Sequence, residues 1–233
     1  VTKVLLSHRE TEYHISAREV EVTGTPVRKE IDRESTDTNP ESFGLRPNFP
    51  IILLFGGSKG SKILIEKIFR EFEKGDEKTE IPFQILIQTG SDNYSEFQDR
   101  TDSLPSEKVS LVEYIEDMGK AYRMSDLVIC RGGAGTMAEL IATVKPAIVV
   151  PWGGAAENHQ YYNGKYLEEK GAAFLVEEDE WLDYPLFELL NDLVSSEEKL
   201  RDMSRSYRNL DGNGGTRDVV KTLKDTISEG ELC

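Results

Sequence analysis

From Pro50 to Val176 the chain repeats one pattern: a short apolar run, a turn, then an amphipathic stretch on a helical period. PIILLF (50–55) leads into SKILIEKIFREFEKG (61–75), where Ile63, Ile65, Ile68, Phe69 and Phe72 recur at roughly helical spacing. PFQILIQT (82–89), VSLVEY (109–114), DLVIC (126–130), PAIVVP (146–151) and AAFLV (172–176) read as further strands. Residues 92–103, 116–125, 135–144 and 157–171 read as the helices between them, and 184–194, 196–209 and 215–229 as helices that follow. Strands that are apolar throughout must be covered on both faces. Alternation with helices therefore predicts an α/β fold, a doubly wound and mostly parallel sheet of Rossmann-like type.

The segment before Pro50 has a different texture. KVLL (3–6) and EVEVT (19–23) read as short strands, and TGTPVR as a turn. From Asp32 to Pro50 the text is polar and carries prolines, which reads as a linker. The first residue is Val within an apolar stretch, so the N-terminus reads as cut. Four parts are expected: residues 1–31, a linker over 32–49, the α/β domain over 50–210, and a C-terminal helix over 211–233. A length of 233 residues allows one large domain, or one domain with a remnant of another.

Charge limits the partners. With 28 basic and 43 acidic residues the net charge is −15, which opposes nucleic acid and anionic membranes. It also opposes a diphosphate, so a phosphate site must be built locally from backbone amides, helix N-termini and a few cations. No apolar run reaches the ~20 residues of a membrane span, and no secretory signal opens the chain. Cys130 and Cys233 lie far apart, and His8, His14 and His159 are scattered, so neither a disulfide framework nor a metal site is expected.

Ligands on parallel sheets bind beyond the carboxyl ends of the strands, and the informative segments fall there. GGSKGS (Gly56 to Ser61) joins the first strand of the domain to its helix and offers amides, the Ser58 hydroxyl and Lys59; it also fits a tight turn with a serine cap. It lacks the spacing of a Walker A loop. RGGAGTMAE (Arg131 to Glu139) contains GxGxxA over Gly133 to Ala138, with Glu157 19 residues beyond, which is a dinucleotide fingerprint in a late βα unit. Thr136 and Glu139 also fit a capping box, while a carboxylate at that place can accept two vicinal ribose hydroxyls. In WGGAAENHQYYNG, His159 and Gln160 either hydrogen-bond a sugar or form a solvated first turn. Arg28 suits a diphosphate or is merely exposed. EYIEDM (113–118) places Tyr114 and Ile115 at a turn tip that either packs on a base or staples a helix.

The order PVR, FGGSKG, EYIEDM, RGGAGTMAE, NHQ–NG resembles the MurG family, from about Val1 to at least Gly171. Those enzymes transfer N-acetylglucosamine from UDP-GlcNAc to the lipid-linked muramoyl-pentapeptide of peptidoglycan. The resemblance implies the C-terminal half of a two-domain GT-B glycosyltransferase, with the end of the first domain and the linker ahead of it. It implies that Arg28 and Ser58 lie near the diphosphate, and that the backbone at Ile115 reads the uracil edge. Ala134, Gly135, Thr136, Met137 and Ala138 would form a loop under the diphosphate and ribose. Glu139 would hold the ribose hydroxyls, and His159 and Gln160 the sugar hydroxyls. The family usually has Asn where Thr25 stands and often Gln where His159 stands. The resemblance implies no cofactor and no metal, a catalytic base on the other domain, and acceptor and membrane contact through that domain. It places the full-length protein in the cytoplasm, peripheral on the inner face of the cell membrane. Two rival readings remain: a UDP-sugar-binding subunit of a split transferase, and an NAD-dependent oxidoreductase domain.

Overall fold

The computed structural model describes residues 3–7, 16–32, 38–75, 81–210 and 215–230. His8, His14 and Cys233 lie outside these residues. Two short strands, β1 (Lys3–Leu6) and β2 (Glu19–Val22), pair in parallel as a small sheet of their own. A one-turn helix, α1 (Lys29–Asp32), follows where only a turn and linker were expected, and a 3₁₀ turn at Pro40–Phe43 interrupts the expected linker.

The second sheet is the body of the fold. Its strands are β3 (Ile51–Phe55), β4 (Gln84–Gln88), β5 (Val109–Val112), β6 (Leu127–Cys130), β7 (Ala147–Val149) and β8 (Ala173–Leu175). All six are parallel, in the order β5-β4-β3-β6-β7-β8. The chain starts in the middle at β3, winds outward to β5, returns to β6 beside β3, and winds outward the other way.

The helices cover both faces because the strands are apolar on both. In β3, Ile51, Leu53 and Phe55 face one core, with Met118, Ala121 and Tyr122 of α4 (Met118–Met124) and Met137 and Leu140 of α5 (Ala134–Thr143). Leu167 of α6 (His159–Glu169) completes that layer. Ile52 and Leu54 face the other core, with Leu64, Ile65, Ile68 and Phe69 of α2 (Lys62–Lys74) and Phe97 of α3 (Ser91–Gln98). Leu186, Leu190 and Leu193 of α7 (Leu186–Val194) and Met203 of α8 (Glu197–Ser206) complete it. This alternation gives the doubly wound α/β fold that the sequence predicts.

Two polar devices brace the α2 face. Lys67 is fully buried, yet its ammonium donates to the carbonyls of Leu182 and Tyr184 and pairs with Glu71 at 2.8 Å, so its charge is matched. The expected helix over 92–103 breaks after Gln98. Arg100 there turns its guanidinium onto the Phe69 and Phe97 rings, 4.6 and 5.3 Å from their centroids, and pairs with Glu66 at 2.7 Å.

The last helix, α9 (Gly215–Gly230), returns to the start of the chain. The Thr216 hydroxyl accepts from the Val27 amide at 3.1 Å, and the Thr222 hydroxyl donates to Glu21 at 2.8 Å. Among the described residues no helix is long and apolar enough to cross a membrane.

Candidate functional site

The winding direction of the main sheet reverses between β3 and β6, which are hydrogen-bonded neighbours. Helices leave these two strands toward opposite faces, so a crevice opens beyond their carboxyl ends. GGSKGS and RGGAGT are its two lips.

The first lip is held by backbone contact. Gly60 has φ +76°, and a Cβ on it would stand 1.5 Å from the Thr89 carbonyl oxygen, so only glycine lets the loops after β3 and β4 touch. The Asn93 amide donates to the carbonyls of Lys59 and Thr89 at 3.1 and 3.0 Å. Ser58 is thereby presented on an exposed turn. Ser61 begins α2, but its hydroxyl makes no cap bond and is buried without a partner among the described residues.

The second lip runs into the helix read over 135–144, so the loop that the resemblance implies for Ala134 to Ala138 is the start of that helix. Gly133 is the N-cap of α5, and Ala134 to Ala138 form its first turns. Extended geometry at Gly133 (φ −67°, ψ 140°) lets the helix begin directly, and this aims its free first-turn amides at the crevice. Ala134 and Gly135 are exposed, Thr136 and Ala138 half-buried, and Met137 packs into the core, so Met137 offers the crevice no side chain. The capping box is overturned as well. Thr136 lies inside the helix, and Glu139 lies in its second turn.

The Glu139 carboxylate has other partners. Arg28 grips it with both arms: Nε donates to Oε1 at 2.7 Å and Nη2 to Oε2 at 3.0 Å. The Tyr122 hydroxyl donates to Oε2 at 3.0 Å. Glu139 is 5% exposed, and Tyr122 is fully buried, edge-on to Phe55 at 6.0 Å. The Glu139 hydrogen bond raises the Arg28 pKa above its ordinary value; burial, then the carboxylate beside it, pushes the Tyr122 phenol well up, so it stays a donor. The structure thus brings together two expected site residues 111 positions apart.

The turn after β5 also differs from expectation. Tyr114 is exposed, but Ile115 is 1% exposed and sits in the core. The Ile115 amide donates to Gln88 Oε1 at 3.0 Å and is already engaged, so only its carbonyl remains for a base edge. The Gln88 side chain also donates to the Gly57 carbonyl at 3.1 Å. One residue at the end of β4 therefore ties the first lip to the β5 turn.

Just after β6, Arg131 points back into the protein, toward the turn that follows β7. It donates to the carbonyls of Val150 and Pro151 at 3.2 and 3.1 Å and pairs with Glu178, whose other oxygen accepts from the Gly153 amide at 3.0 Å. This clamp shapes the Trp152–Gly154 turn. Glu157 and Asn158, at φ 52° and 53°, take the left-handed backbone conformation, which re-aims the chain into α6. Gln160 accepts from the Trp152 amide at 3.0 Å, leaving its Nε2 without a partner among the described residues. His159 is exposed, with Nδ1 2.7 Å from the Ala156 carbonyl; a proton on Nδ1 leaves Nε2 as an acceptor. A cavity of about 600 Å³, lined by Trp152, Asn158 and Tyr162 among others, adjoins this turn. Asn163 donates to the Gly132 carbonyl at 2.9 Å and ties α6 to the second lip.

Gln88, Tyr122, Asn163 and Glu178 were not singled out in the sequence. Each is one polar residue in an ordinary strand, helix or turn, and its meaning comes from a partner far along the chain. GxGxxA follows β6, not the first strand of the sheet, and Glu157 precedes a helix, so neither has the setting of a dinucleotide fingerprint. Among the described residues no three His, Cys, Asp or Glu side chains form a metal-binding group.

A six-stranded parallel sheet wound on both faces, with two lips at its switch point, is a nucleotide-binding architecture, and here it matches the C-terminal domains of GT-B glycosyltransferases. The family model described as "Glycosyltransferase family 28 C-terminal domain" matches residues 51–221, and the chain belongs to that family. It is related to MurG. It is 28% identical over 228 residues to the UDP-N-acetylglucosamine–N-acetylmuramyl-(pentapeptide) pyrophosphoryl-undecaprenol N-acetylglucosamine transferase of Acetivibrio thermocellus, covering 97% of this chain and 61% of that protein. The protein of the same name from Halothermothrix orenii is 32% identical over 237 residues, with 97% and 62% covered. The crystal structure of Acinetobacter baumannii MurG superposes with a TM-score of 0.71 at 25% identity, over 96% of this chain and 60% of that one. The Neisseria meningitidis UDP-GlcNAc 2-epimerase bound to UDP-GlcNAc shares the fold alone, with a TM-score of 0.54 at 18% identity over 82% of this chain and 47% of that one. The chain spans about three fifths of the length of the curated relatives it matches.

Proposed function

We propose that this chain is the donor-binding part of an inverting glycosyltransferase that moves N-acetylglucosamine from UDP-GlcNAc to a lipid-linked muramoyl-pentapeptide in peptidoglycan synthesis. One observation carries the reading: Arg28 and Glu139 meet at the first turns of α5, in the switch-point crevice of a family 28 domain. A carboxylate there suits a ribose diol. The N-terminal amides of α5, with Ser58 across the crevice, suit a diphosphate, and Arg28 adds a local cation in a chain of net charge −15. The Ile115 carbonyl, in the turn after β5, suits the edge of a base. His159 and Gln160 Nε2 are free to meet sugar hydroxyls.

In this mechanism the acceptor hydroxyl attacks the anomeric carbon from the face opposite UDP. The carbon–oxygen bond to the diphosphate breaks as the new one forms. Charge grows on the leaving diphosphate, where the α5 amides and Arg28 stabilise it. The general base and the acceptor face are assigned to the part of the longer relatives that this chain does not span, as is contact with the membrane. Residues 1–31 then belong with that part, 32–49 are the linker, 50–210 the donor domain and 211–233 a helix that reaches back. The isolated chain is expected to bind UDP-GlcNAc without turning it over.

Calorimetric titration tests the reading. Wild type should bind UDP and UDP-GlcNAc, Glu139→Ala should bind both at least about tenfold more weakly, and NADH should not bind. NADH binding without UDP binding would overturn the assignment, and sugar transfer to lipid acceptor by the isolated chain would overturn the division of labour. Glycine-rich loops in the same reading frame upstream of Val1 exclude a transferase split over two chains.

A further inference from the structure

We propose that Arg28 and Glu139 form an exchange pair that selects a nucleoside diphosphate with an intact ribose diol: the diol displaces the guanidinium from Glu139, and the displaced guanidinium takes the diphosphate. The inference rests on the donor-site reading above and adds a coupling between two parts of the ligand.

The count of acceptor positions requires the exchange. An ionised carboxylate offers about four. Among the described residues Glu139 fills three of them: Oε1 with Arg28 Nε, and Oε2 with Arg28 Nη2 and the Tyr122 hydroxyl. One position remains, on Oε1. Two ribose hydroxyls need two positions, so a donor already in place must leave. Tyr122 is fully buried and wedged edge-on against Phe55, with no room to swing. The Arg28 side chain is 45% exposed and follows a turn, so it is the donor that moves.

Charge then sets the destination. Glu139 is 5% exposed, and the guanidinium is the cation that matches it. Neutral hydroxyls can replace the hydrogen bonds of Arg28 but not its charge, so displacement alone leaves the buried carboxylate without its matched cation. A diphosphate at the N-terminus of α5 supplies an anion for the displaced guanidinium within the reach of the same side chain. A nucleoside without phosphate must strand the guanidinium. A 2′-deoxynucleotide brings a single hydroxyl, which fits the one vacant position and leaves Arg28 where it is.

The test is a titration of wild type, Arg28→Ala and Arg28→Lys with UDP, 2′-deoxy-UDP and uridine, with thermal melts to establish that each variant is folded. Arg28→Ala should weaken UDP several-fold, the loss of one charge-assisted phosphate contact less the displacement that is no longer needed. The same variant should bind uridine several-fold more tightly than wild type, because nothing has to be displaced. Its affinity for 2′-deoxy-UDP should stay near that of wild type. Arg28→Lys, which cannot grip both oxygens, should lie between for uridine. Parallel weakening of all three ligands would make Arg28 a buttress of Glu139 and overturn the exchange. Uridine affinity unchanged by Arg28→Ala would overturn it too. Wild type that fails to bind UDP would overturn the donor-site reading itself, a result separate from either pattern.

Discussion

The Cα of Gly132 lies against the backbone of Gln160: a Cβ at Gly132 would stand 2.2 Å from the Gln160 carbonyl oxygen. The second lip and the first turn of α6 are therefore in backbone contact, and neither can shift alone. Gly132→Ala must push the α6 N-terminus outward. The expected cost is about 1–3 kcal/mol of stability, as for other overpacked sites, with a matching fall in UDP-GlcNAc affinity. Chemical denaturation and calorimetry on the same samples check both; an unchanged midpoint would show that the contact yields freely.

Gln88 connects two loops through opposite ends of one amide. Gln88→Glu keeps an acceptor for the Ile115 amide and loses the donor to the Gly57 carbonyl. Gln88→Ala loses both and strands a buried amide, so it should cost about 1–3 kcal/mol, and Gln88→Glu more, because it buries a carboxylate against the Gly57 carbonyl. Amide hydrogen exchange separates them: Ile115 protection should fall in Gln88→Ala and persist in Gln88→Glu.

Arg131 holds the Trp152–Gly154 turn through two carbonyls and Glu178. Arg131→Met should destabilise the fold by about 2–3 kcal/mol, less than the ~3–5 of a fully buried pair because the Glu178 side chain is 24% exposed. Glu178→Gln keeps an acceptor for the Gly153 amide and should cost less. Urea midpoints rank the two variants; equal loss would locate the stability in the charge pair and not in the carbonyl contacts.

Acid should find Glu66. Its hydrogen bond to Arg100 lowers its pKa from the ordinary 4.5, against the opposing effect of burial. A folded pKa below the unfolded one stabilises the fold above the unfolded value, and that contribution is lost as pH falls through the folded value. Glu66→Gln should therefore melt below wild type at about pH 7, and the difference should shrink as pH falls below 4.5 and through the lowered folded value. A gap that persists in acid would assign the effect to packing.

The layered core was legible because fully buried strands leave uninterrupted apolar runs: IILLF is buried at every position and admits few other readings. Local pattern failed where a distant partner decides. Residues 92–103 look like one helix until Arg100 meets Glu66 and the Phe69 ring. Ile115 looks like an exposed tip, because the core that receives it comes from other elements. The α5 helix, by contrast, was legible to within one residue, with Gly133 as its cap. Glu139 was picked out as a ligand residue, but its bidentate partner lies 111 positions away, a pairing no local motif encodes. The α1 helix was missed because one turn leaves too short a period to register.

Val27, beyond β2, and Thr216, in the first turn of α9, lie side by side. Thr216 accepts from the Val27 amide and donates to the Val27 carbonyl at 3.3 Å, which pins both segments at one point. A shift on either side is carried to the other through that one hydroxyl, so Arg28, the residue after Val27, is held in register by a helix from the far end of the chain.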